Sequence, residues 1–155
     1  MHTVELDVHL DHPRASADRS GAMPKAGYYI ATTVAAPFDA VVARVIEGLK
    51  AQGFGVLTDI DIQAAMKQKI GAEMPPYRIL GACNPKFAYE ALKVENKLGV
   101  LLPCNVIVRE SADGRIEVAS IDPVAAMERT GNRELESAAH DIRNRLERMI
   151  DTLAA

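Results

Sequence analysis

Apolar residues along this chain recur with two different periods, and the switches between them predict its elements. "YYIATTV", Tyr28 to Val34, is aromatic and β-branched and predicts a strand. From Pro37 to about Gln52 the apolar stripe Phe38, Val41, Val42, Val45, Ile46 and Leu49 predicts a helix, with Gly53 placed to end it. "FGVLTDI" is the next strand. A short helix, "DIQAAMKQKIG", follows with Ile62, Met66 and Ile70 on one face and Gly71 as its stop. "YRILGAC" is a third strand. Asn84 then Pro85 predicts a helix start, because Asn caps free amides and Pro fits the first turn. That helix runs to about Asn96.

Leu98 to Glu110 reads as one long strand, joined through "SADG" to "RIEVASI"; Asp113-Gly114 between alternating runs signals a hairpin. Period two puts Cys104, Val106 and Val108 on one face, with Ile116 and Val118 opposite. Pro103 has no N–H for a ladder, so the strand there must be at an edge, bulged or broken. The last segment, Pro123 to about Leu153, is helical with a break near Gly131-Asn132. Leu135, Ala139, Ile142, Leu146, Met149 and Leu153 form a heptad-like seam in it. Such a seam packs against the same domain or against a second subunit. The element order is β-α-β-α-β-α-β-β-α. Strand–helix alternation favours a parallel sheet, but the hairpin and the one-sided helices make a two-layer α+β sandwich equally natural.

Residues 1–26 differ from the rest. "VELDVHL" alternates weakly, and a polar Pro-, Gly- and Ser-containing stretch follows, so this segment reads as an arm or linker ahead of a single domain, 27–155. The arm's Glu5, Asp7 and Asp11, with no apolar core segment, are not those of a signal peptide. The longest apolar run, Leu98 to Val108, is too short to cross a bilayer.

Among 155 residues, 48% are hydrophobic and 25% charged, which suits a globular domain with a real core. The net charge of −3, with no Trp, three Phe and four Tyr, argues against a nucleic-acid partner. Two cysteines are too few for a secreted disulfide scaffold. The expectation is a cytoplasmic protein without a membrane or nucleic-acid partner.

Candidate chemistry centres on the cysteines. Cys83 and Cys104 are twenty-one residues apart, unlike a C-x-x-C pair. Cys104 on an apolar face can be a small hydrophobe. The functional alternative needs the third and the long strand to be neighbours, so that both sulfurs share a pocket as a thiol pair or a metal site. Two sulfurs do not complete a zinc shell, so His140 or a partner subunit would have to contribute. At "GACNPK", free amides at a helix N-terminus and Lys86 in the first turn suggest an anion site; alternatively Lys86 simply faces solvent. Asp59 and Asp61 could hold a cation, or Asp61 could cap the next helix while Asp59 is solvated. The histidines at 2, 9, 12 and 140 have no metal-binding spacing. A phosphate loop and a nucleophile elbow are both missing from the sequence.

"GFGVLTDIDIQAAMKQKIG", "YRILGACNPKFAYEALKVENKLGVLLPCNVIVRE" and "DGRIEVASIDPVAAM" together resemble domain-of-unknown-function family 302, over about Tyr28 to the C-terminus. The resemblance implies an α+β two-layer sandwich, with a curved, mixed or antiparallel sheet and helices on one face, often as a homodimer. It also marks Cys83, Asn84, Pro85, Pro103 and Cys104 as family features. The functional expectation is a homodimeric module binding a small molecule, anion or metal near Cys83, Asn84, Lys86 and Cys104, with the two cysteines as metal ligands. The alternatives are a thiol-dependent enzyme, redox or nucleophilic, and an interaction domain without a ligand. The cofactor and any reaction stay open.

Overall fold

The computed structural model describes residues 27–154; the arm expected at 1–26 lies outside the described residues. Five strands, β1 (Tyr29–Val34), β2 (Gly55–Asp61), β3 (Tyr77–Cys83), β4 (Cys104–Glu110) and β5 (Ile116–Ile121), form one sheet in the order β1-β5-β4-β3-β2. Every neighbouring pair is antiparallel, so of the two sheets the sequence allowed the antiparallel one is realised. The fold is α+β. Because β1 and β2 are the two edges, helix α1 (Phe38–Ala51) must carry the chain across the whole sheet between them.

That crossing explains the stripe on α1. Val41, Val45 and Leu49 are fully buried, and they meet Ile142, Leu146, Met149 and Ile150 of α5 (Glu136–Leu153) over Leu80, Val106, Val108, Ile116 and Val118 of the sheet. Each fully buried aliphatic chain contributes about 1.5–3 kcal/mol, and this packing is what holds a helix rich in Val and Ile. The seam on α5 is spent inside the domain: Leu135, Ala139, Ile142, Leu146, Met149 and Leu153 are all 3% exposed or less.

Local signals set the boundaries. Asp61 accepts from the Ala64 amide at 2.9 Å and starts α2 (Ile62–Ile70), which Gly71 ends at φ +65°. Asn84 accepts from the Phe87 amide at 3.0 Å and starts α3 (Pro85–Val94). Asp122 caps α4 (Pro123–Glu128) and also holds Arg143 of α5 at 3.1 Å. The hairpin expected at Asp113-Gly114 pairs β4 with β5, with Val108 opposite Val118 and Val106 opposite Ser120.

Two details differ from the pattern. The strand predicted from Leu98 begins only at Cys104; Leu98–Leu101 is a 3₁₀ turn that buries Leu98 in a second cluster with Ala91, Met127, Leu135 and Ala139. Pro103, lacking a donor, marks the break in a central strand. The terminal helical segment does break where expected, into α4 and α5 on either side of Gly131 (φ +68°). The second difference is that α2 buries none of its residues, and Ile70 is 73% exposed.

Candidate functional site

The neighbouring strands required for a cysteine site are present, since β3 pairs with β4. The register then separates the two thiols. Cys104 lies opposite Ala82, one residue short of Cys83. Successive strand residues point to opposite faces, so Ala82 and Cys104 share the helix-covered face and Cys83 takes the other. Burial agrees: Cys104 is 5% exposed within the main core, while Cys83 is half-buried. Among the described residues no group of three or more His, Cys, Asp or Glu is arranged to hold a metal ion.

Burial pushes the Cys104 thiol up from 9.0 to about 11, and the neighbouring Cys83 adds to the rise. A catalytic thiol needs the reverse, a lowered value and access to solvent. The neutral thiol is the form this fold holds. Its stability contribution is therefore intact below about pH 9 and lost as pH rises toward 11, at about 1.4 kcal/mol per unit. A thiol reagent at pH 8 is expected to label Cys83 in the native protein and Cys104 only on unfolding. Rapid labelling of both would show that Cys104 is accessible after all.

Asn84 and Lys86 have a different setting. Both line a groove of about 440 Å³ between α3 and α5, together with Phe87, Glu90, Glu134 and Arg145. Asn84 is placed by its cap bond to Phe87, and Lys86 is exposed in the first turn. Arg145 reaches this end of the groove from α5, held by Asp141 at 3.1 Å and by the Gln52 carbonyl at 3.1 Å. A side chain at Gly53 would meet Arg145 Nη1 and the Asn84 amide nitrogen, each 3.4 Å away, so those two groups flank one loop. The groove is thus lined by two cations, Lys86 and Arg145, beside the α3 N-terminus, and by three acids, Glu90, Glu134 and Asp141, the last paired with Arg145.

The other sequence candidates fall elsewhere. Asp61 is a helix cap, and Asp59 is held by Arg78, with Nε to Oδ1 at 2.7 Å. The Arg78 hydrogen bond keeps the Asp59 carboxyl below its usual range. His140 is exposed and lines a separate pocket of about 290 Å³ beside Glu128 and Glu136. Arg145 was legible only as half of an i, i+4 pair with Asp141. Its approach to Asn84 is a tertiary fact that local spacing does not carry. No helix among the described residues is long and apolar enough to cross a membrane.

No curated protein matches the chain. Among solved structures, an uncharacterized conserved protein DUF302 from Bacillus stearothermophilus is similar, with a TM-score of 0.77 and 27% identity over 83% of this chain and 99% of that one. The family model described as "Domain of unknown function DUF302" matches residues 30–153. The antiparallel five-stranded sheet, the capped "GACNP" turn and the match across nearly all the described residues lead to one conclusion: the chain belongs to the DUF302 family.

Proposed function

We propose that this protein is a homodimeric binding module for a small anionic molecule, seated in the α3–α5 groove against Asn84, Lys86 and Arg145. The observation that carries the reading is that one groove gathers the α3 N-terminus, Lys86 and Arg145. The α3 dipole favours an anion there, and a bound anion would offset the cation Lys86, which otherwise opposes that dipole. Of the first-turn amides, Pro85 has none and those of Phe87 and Ala88 are already taken by Asn84. Phe87 supplies an apolar wall, while Glu90 and Glu134 in the same lining select against a ligand with a second negative group.

The metal version of the site, with Cys83 and Cys104 as ligands, would need two thiols on opposite faces of the sheet to converge. The thiol-enzyme version would need a thiolate from Cys104. The anion groove asks for neither, so it ranks first, and Cys83 contributes by ending β3 where Asn84 begins the turn. Two free cysteines suit a reducing compartment such as the cytoplasm.

Thermal unfolding in graded inorganic phosphate and acetate tests the groove. The wild type is expected to gain stability with one of these anions, by about 2.7 kcal/mol at a hundredfold excess over Kd, which is several degrees in Tm. Lys86→Ala is expected to retain its fold and lose most of that gain. An identical anion response in Lys86→Ala, or no response in the wild type, would remove the proposal.

A further inference from the structure

The sheet face turned away from α1 and α5 carries one continuous apolar row. Ile60, Ile79, Ile107, Ala119 and Ala31 lie directly opposite one another across all five strands. Ile60, Ile79 and Ile107 belong to neither hydrophobic cluster, and Ile60 at the end of the row is 46% exposed. The adjacent row on the same face is Tyr77, Arg109, Glu117 and Thr33, with Arg109 Nε 2.8 Å from Glu117 Oε1. An antiparallel sheet with one solvated face normally alternates apolar inward and polar outward. This row breaks that rule across the full width of the sheet.

We infer that this face is the contact between two copies of the chain, with a two-fold axis parallel to the strands and passing between β4 and β5. The inference rests on the homodimer reading above and adds its surface and register. The order of side chains along both rows singles out that axis. It lays β4 of one copy over β5 of the other, and β3 over β1. Ile107 then faces the partner's Ala119, and Ile79 faces the partner's Ala31, so each large side chain meets a small one. Arg109 faces the partner's Glu117, which turns two internal ion pairs into one alternating four-charge cluster. Sheets stacked in this way sit about 10 Å apart, a spacing that an Ile over an Ala fills. Four strands of this length present on the order of 400 Å² by their spacing and rise, about half of what a stable interface covers per partner. The contact is therefore concentration-dependent.

Ala31 and Ile79 make a clean test, because within one chain they are three strand spacings apart, about 14 Å, and cannot pair with each other. Analytical ultracentrifugation of the full chain over a concentration series is expected to show a monomer–dimer equilibrium. Ala31→Lys and Ile79→Glu are each expected to shift it at least tenfold toward monomer, and the double variant to recover it, since Lys and Glu then meet only across the interface. If either single variant unfolds, recovery of a folded dimer by the double variant still carries the test. As a second measurement, Ala31→Cys/Ile79→Cys in a Cys83→Ser background is expected to give covalently linked dimers with a short bifunctional thiol crosslinker, because facing residues of sheets about 10 Å apart are too distant for a direct disulfide. A wild-type monomer at every concentration, as when the chain's own first 26 residues cover the face, overturns both the homodimer and this surface. A wild-type dimer that persists in both single variants, or a double variant that stays monomeric, overturns this surface alone.

Discussion

Gly81→Ala is expected to destabilise the fold by about 1–3 kcal/mol, the cost of overpacking a site that cannot relax. A Cβ at Gly81 would collide with Thr58 Oγ1 and would lie 2.7 Å from Pro103 Cγ. Thr58 is exposed and can rotate away, but the Pro103 ring is fixed at the point where β4 begins. The glycine is needed here for close approach. Gly55→Ala is the matched control, since nothing lies within 4 Å of a Cβ built there. Thermal unfolding followed by circular dichroism is expected to give a lowered Tm for Gly81→Ala and little change for Gly55→Ala. Equal melting temperatures would show that Pro103 does not seal this corner of the sheet.

Leu146→Ala should cost about 2–5 kcal/mol, the range for truncating a fully buried leucine and leaving a cavity. Leu146 is 0% exposed on α5, in the cluster that joins α1, α5 and the sheet. The loss should appear in denaturant unfolding and be independent of protein concentration, because the seam lies inside one domain. A loss that shrinks as concentration rises would place the seam between subunits. The two predictions probe opposite sides of the sheet, so in combination they should add.

Much of this architecture is written locally. The caps Asp61 and Asn84, the seam on α5, the stripe on α1 and the Asp113-Gly114 hairpin each depend on residues a few positions apart, where periodicity and turn chemistry act. The candidate site was legible only in part. Asn84 and Lys86 stand out as a helix start, but the groove beside them is completed by α5, far later in the chain. A cysteine site requires β3 beside β4, yet which strands become neighbours is a long-range property that local pattern does not encode. Whether Cys83 or Ala82 faces Cys104 turns on a single residue of register, and a one-residue shift reverses every side chain. The 3₁₀ turn at Leu98–Leu101 was hidden for a similar reason, because an apolar run reads the same whether it pairs in a ladder or fills a cluster between helices.

The most direct test of the α3–α5 groove is native mass spectrometry of the freshly purified full chain, with and without chelator, beside Lys86→Glu. The account predicts a small-molecule mass retained by the wild type, indifferent to chelator and lost in the variant. A wild-type mass equal to polypeptide alone, or an added mass that chelator strips, would contradict it.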